Sequence, residues 1–321
     1  MKNVIISLSM VGLALSSSAA FAQQAVNESM SASANGYVHI EHMNGKAKII
    51  GWDKNEVTVT GEVGEKTEEF IFEKRGDEIR IEVEVKSKGW GGWGNWSSDE
   101  GDDLTIYVPS ASSINYESIN ARVSLEQLSG GIQVEVVNGH VDADTISGRM
   151  RFESVNGNID VENVEGDLSV ETVNGDIRGE QSGNGDLNLD TVNGNIRFTS
   201  QSEDVRAESV NGGIELKLAT VRDLDITTVN GGIEVGMMLH KEGDVQASSV
   251  GGRIEMTFQK DVNARFDIEG HAGGKIVNRI TSDEMQKAKY GPRRWLNFST
   301  GSGSAQVEIS TVNGRVELST D

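Results

Sequence analysis

The tripeptide Val-Asn-Gly returns along this chain at a nearly constant interval, and no other feature limits its possible folds so tightly. The pairs are Asn138-Gly139, Asn156-Gly157, Asn174-Gly175, Asn193-Gly194, Asn211-Gly212 and Asn230-Gly231, with the Asn residues separated by 18, 18, 19, 18 and 19 positions. Asn120 lies 18 residues upstream, Gly251 lies 21 residues downstream, and Asn313-Gly314 repeats the pair near the end. Self-similarity at a fixed period marks an array of stacked units, each unable to bury its apolar face alone.

Each copy holds a shorter rhythm. From Val155 the apolar positions are Ile159, Val161, Val164, Leu168, Val170 and Val173, in steps of 4, 2, 3, 4, 2 and 3. Steps of two mean strand and the longer steps mean corners, while no useful 3.6-residue period runs between 111 and 258. The six aliphatics from Ile159 to Val173 are expected to be buried. Two folds use this pattern. Asn-Gly between strands signals an antiparallel hairpin, hence a meander or propeller. The alternative, a parallel solenoid, explains why the same residue stands at every second corner. There, equivalent Asn side chains sit about 4.8 Å apart and form an amide ladder, and Gly supplies a positive φ. The expected fold is therefore all-β: a parallel β-solenoid (β-helix) of about eight 18–19-residue coils with an N-terminal antiparallel β cap.

The ends bound the organisation. Lys2, the apolar run from Val4 to Leu15 and Ala20-Phe21-Ala22 read as a secretory signal peptide over 1–22. A flexible linker is expected over 23–35, the β cap with a Trp-rich loop over 36–110, the solenoid repeats over 111–258, and a C-terminal solenoid end over 259–321. That last part carries a basic insertion with Lys275, Arg279, Lys287, Lys289, Arg293, Arg294 and Trp295. The expected location is the periplasm or cell surface. No Cys is present, so no disulfide contributes. Loss of Lys2 with the leader takes the net charge from −21 to −22, which disfavours nucleic acid and anionic lipid and favours cations. No transmembrane segment is expected in the mature chain.

The run "GYVHIEHMNGKAKIIGWDKNEVTVTGEV", the serial "TVNG" copies and the closing "GSGSAQVEISTVNGRVEL" resemble an exported bacterial β-strand-repeat family catalogued as "putative adhesins" of unknown function. The likeness spans essentially the whole mature chain and rests on structural motifs. It implies a β-solenoid at the cell envelope, with no catalytic residues and no cofactor.

Chemistry is hard to find. Four residues after each Asn a column of side chains points outward, including Asp142, Asp160, Arg178 and Arg197, with Asp144 and Glu162 two residues further on. Asp142, Asp144, Asp160 and Glu162 are the candidates for a cation site or an acid/base group, against the plainer reading of a solvated strand face. No nine-residue unit has the calcium β-roll register, since Asp186 follows Gly185 directly. His39, His42, His140, His240 and His271 are scattered, and Arg75-Gly76-Asp77 reads as a turn between alternating strands. No catalytic, metal or cofactor residues are assigned. Trp90, Trp93 and Trp96 form a glycine-rich cluster suited either to plugging a solenoid end or to binding a glycan or protein. The function expected is a non-enzymatic envelope binding scaffold, an adhesin whose partner is an envelope glycan or protein. The alternatives are a carbohydrate-active enzyme of lyase or hydrolase type on a β-helix, and a cation-responsive periplasmic module.

Overall fold

The structure is a computed structural model that describes residues 24–85 and 101–321. Among the described residues every element is a strand and none is a helix. Residues 1–22, expected as a signal peptide, and Trp90, Trp93 and Trp96 lie outside them.

Successive copies stack in parallel and in register. Met150 lies opposite Leu168, Phe152 opposite Val170 and Asn156 opposite Asn174. The next copy repeats the match, with Leu168 opposite Leu187 and Asn174 opposite Asn193. A second row runs beside the first, in which Ile159 pairs with both Val141 and Ile177, and Ile177 with Ile196. Each copy thus gives one strand to each row, and Asn-Gly carries the chain from the first row to the second instead of folding it into a hairpin.

Alternation fills the space between the rows. In Leu168–Asn174, Leu168, Val170 and Thr172 are buried while Val173 stays exposed. Period two continues through Thr172, so Val173, expected inside, falls on the outer face. Phe152, Val170, Leu189 and Ala207 of the first row share one continuous core with Ile159, Ile177, Ile196 and Ile214 of the second.

The corners work differently from expectation. The φ angles of Gly139, Gly157, Gly175, Gly194, Gly212, Gly231 and Gly314 lie outside the left-handed region. Glycine is required there by close approach. A Cβ at Gly157, Gly175, Gly194, Gly212 or Gly231 would stand only 1.5–2.0 Å from the carbonyl oxygen of the corner glycine one copy earlier. A buried hydroxyl two residues before Asn174, Asn193 and Asn211 completes those corners: Thr172 donates to Gly157 O at 3.2 Å, Thr191 to Gly175 O at 3.2 Å and Ser209 to Gly194 O at 3.2 Å. Left-handed backbone occurs at the opposite corner, at Gly148 and Gly166, and at Gln127, Thr145 and Asn163, which are 18 residues apart.

Both ends of the stack depart from chain order. Tyr37–Trp52, expected as a hairpin in an antiparallel cap, is one bent strand paired in parallel with Ser113–Leu128, so that Asn44 faces Asn120. Its other edge pairs in parallel with Glu78–Val85 and Asp102–Pro109. Among the described residues, antiparallel pairing in this region is confined to Gln24–Ser31 with Glu56–Val63, Glu56–Val63 with Asp102–Pro109, and Thr67–Arg75 with Glu78–Val85. Gln24–Ser31 lies inside the stretch expected as a flexible linker; its pairing with Glu56–Val63 makes it strand instead. At the other end, Ala305–Thr311 is inserted between Asp244–Ser249 and Ala264–Gly270, parallel to both. Arg294–Ser299 then runs antiparallel along Ala264–Gly270. These antiparallel strands cover parallel edges that would otherwise offer unpaired N–H and C=O groups.

Candidate functional site

The in-register stack turns every outward residue into a column, and two neighbouring columns of the first row form a long groove. One column is apolar. Val137, Val155, Val173, Val192, Val210 and Val229 are each 36–42% exposed, and Val250 and Val312 continue the line. Ile119 and Met43 extend the groove lining toward the other end. The second column is acidic: Glu41 faces Glu117, Glu117 faces Glu135, Glu135 faces Glu153, Glu153 faces Glu171, Glu171 faces Asp190 and Asp190 faces Glu208. Together these columns line a groove of about 890 Å³. At one strand spacing per rung, from Ile119 to Val229 it runs roughly 30 Å.

The carboxylates are held in place by residues two positions earlier. Gln133 Nε2 donates to Glu135 at 2.8 Å, and Asn188 Nδ2 to Asp190 at 3.0 Å. Arg151 bonds Glu153 and reaches Glu171 at 2.9 Å, while Arg206 bonds Glu208 and reaches Asp225 at 3.2 Å. With Arg80 3.7 Å from Glu41, three guanidiniums do not offset seven carboxylates, so the groove stays negative. Asp190 shows it: burial, then the charges of Glu208 and Glu171, push its carboxyl above the usual carboxylate range despite Asn188 and Arg206. Beyond the donor column the face remains acidic, with Asp204 opposite Asp223 and Asp223 opposite Asp244. Among the described residues no aromatic side chain lines this groove.

The corner residues form an unbroken amide ladder. Asn138 donates to Asn120 at 2.9 Å, Asn156 to Asn138 at 2.8 Å, Asn174 to Asn156 at 2.9 Å, Asn193 to Asn174 at 2.8 Å, Asn211 to Asn193 at 2.9 Å and Asn230 to Asn211 at 2.9 Å. Asn313 stacks beyond Gly251, its N–H donating to Val250 O at 2.9 Å. The ladder rims the groove beside the valines and is structural.

Other candidates separate. Asp142 faces Asp160 and Asp144 faces Glu162 on the second row. Asp144 accepts from Asn163 and Thr145, which together hold its carboxyl below the usual range. His140, one of the five histidines scattered along the sequence, sits between Asp142 and Asp160. His42 was equally hidden: it is fully buried, with Nδ1 2.9 Å from Tyr116 Oη and Nε2 3.2 Å from Asp102. Burial raises the Tyr116 phenol far above its ordinary value. Arg75-Gly76-Asp77 is a tight turn with Gly76 at φ 69°, and Asp77 accepts from Ser33. In the basic segment, Arg279 pairs with Glu317 and Arg293 with Glu269, and Arg294 donates to Gly274 O at 3.0 Å. Among the described residues no helix is long and apolar enough to cross a membrane.

A "putative cell adhesion protein" from Clostridium sporogenes is 11% identical, covering 93% of this chain and 100% of its own at a TM-score of 0.23. A "putative adhesin" from Bacteroides fragilis is 10% identical over 92% and 98% at 0.27, and another from Parabacteroides merdae 8% identical over 93% and 96% at 0.29. No curated protein matches the chain with significance. The family model for Toastrack DUF4097 matches residues 38–319, nearly the whole described structure, and the chain belongs to that family.

Proposed function

We propose that the protein is an exported, non-enzymatic binding scaffold of the adhesin kind, built as a parallel β-solenoid and working at the bacterial envelope through the groove of its first row. The observation that carries this reading is the pairing of two unlike columns over the same rungs. Exposed valines gain nothing from the core, and a contiguous apolar stripe on a soluble surface marks an interaction site. The carboxylates beside it favour a partner presenting cationic groups along an apolar edge. A protein segment fits this apolar and acidic lining better than a glycan, since among the described residues the groove has no aromatic platform for a sugar ring. The leader-like N-terminus and the adhesin names of structural relatives support export and binding.

The test is retention of the purified protein on envelope material, with Val155→Ser, Val173→Ser and Val192→Ser combined. These residues are outside the core, so the melting temperature should hold while retention is lost. Unchanged retention would refute the groove as the binding face.

A further inference from the structure

We propose that His140, Asp142 and Asp160 form a site for one divalent transition cation of the zinc type, on the second row and away from the groove. His140 and Asp142 stand two apart and so project to one side of the chain, and parallel pairing puts Asp160 directly opposite Asp142. His140 Nε2 lies 3.0 Å from Asp142 Oδ1 and 2.9 Å from Asp160 Oδ2, and the three donor atoms fall within 4.8 Å of one another. All three residues are part-buried, with one side open to solvent.

Two carboxylate oxygens converging on one ring nitrogen is more than a single N–H can satisfy. A cation satisfies all three at once. With bonds of about 2.0–2.1 Å, tetrahedral geometry sets ligand atoms roughly 3.3 Å apart, so the two imidazole–carboxylate spacings need only a few tenths of an ångström of relaxation, while the two carboxylate oxygens stand within 4.8 Å of each other. One imidazole and two carboxylates suit zinc or its neighbours, and the fourth position would be water. Calcium, which takes six to eight oxygen ligands, is poorly matched. The surroundings are electronegative: Asp144 and Glu162 flank the pair, against Arg178, which bonds Asp176 and stands 3.7 Å from Asp160. Bound there, the ion would tie two adjacent rungs together on their outer face.

Isothermal titration of the purified protein with zinc chloride alone tests the site. One ion per chain is expected. His140→Asn should weaken binding by more than the roughly tenfold that loss of an outer-shell partner produces, and Asp160→Asn should do the same. His140→Asn is a safe substitution, because Asn158 and Asn195 hold the equivalent corner position in other rungs; circular dichroism should be unchanged. Excess calcium should not compete. Absence of zinc binding, binding that survives both substitutions, or equal displacement by calcium would each overturn the proposal.

Discussion

The close stacking of corner glycines makes a sharp prediction at two adjacent residues. Gly212 and Gly213 are chemically identical and sit side by side in "VNGGIE". A Cβ at Gly212 would lie 1.8 Å from Gly194 O and 2.6 Å from Gly194 C; one at Gly213 would meet nothing nearer than Asn195 Oδ1 at 3.6 Å. Real Cβ contacts stay above 3.0 Å, so Gly212→Ala demands about 3.0 − 1.8 = 1.2 Å of separation between two rungs. The bonds spanning that gap are short: Asn211 Nδ2 to Asn193 at 2.9 Å, Gly213 N to Asn195 at 3.0 Å and Ser209 Oγ to Gly194 O at 3.2 Å. An opening of that size breaks two or three of them at about 1 kcal/mol each, and some packing beneath. Gly212→Ala should therefore cost roughly 2–4 kcal/mol, read from urea unfolding at equilibrium. Gly213→Ala should be neutral or slightly stabilising through the unfolded chain. Equal and small effects at the two sites would refute close approach as the reason for the conserved spacing of Gly in this chain's corners.

Three further outcomes follow from the charges and the buried network. Asp190→Asn should raise the melting temperature at neutral pH. Because the folded carboxyl titrates above the unfolded one, acidification through that window favours the fold, and the advantage of the substitution should vanish once both states are protonated. At Glu317 burial opposes ionisation, but the outweighing charges of Arg279, Arg315 and Arg253 hold its carboxyl below the usual range. Its contribution is present above the unfolded pKa and lost as pH falls through the folded one, so Glu317→Gln should lower the melting temperature at pH 7 and make less difference in strong acid. Asp102 receives Gly64 N at 2.6 Å and Thr67 Oγ1 at 3.0 Å besides facing His42, so Asp102→Ala should cost about 3–5 kcal/mol in denaturant unfolding by stranding buried polar partners.

What could be read from the sequence was whatever repeats in one dimension. Equal spacing of Asn138 through Asn230 implied equal placement along an axis, and the amide ladder is that placement. The reading failed where phase within a copy mattered. Val173 was counted with the core because it is apolar, although Leu168, Val170 and Thr172 hold the inward phase and Thr172 fills the core position as a hydroxyl bonded to Gly157 O. Glu135, Glu153, Glu171, Asp190 and Glu208, three residues before their Asn, carry the same period as the outward column four residues after it. Contacts between distant parts were illegible for a different reason. Nothing local places His42 against Asp102 and Tyr116, or inserts Ala305–Thr311 between two earlier strands; those follow from which edge remains open once the central copies have stacked.

That distinction also explains how one repeat serves two ends. Inward positions and corners answer to the neighbouring rung, at distances that leave no room for a Cβ at Gly212 or for a longer side chain than Ser or Thr beneath it. Outward positions answer only to solvent and to their own column. The second row uses this freedom to vary, running from Asp142 through Asp160 to Arg178, Arg197 and Glu215. The first row does not: valine persists beside Asn from Val137 to Val229, and an acid persists three residues before Asn from Glu135 to Glu208. Packing does not require that constancy, since the valines are exposed and the stacked carboxylates repel. A column kept uniform against its own electrostatics fits the proposal that the groove receives an elongated partner.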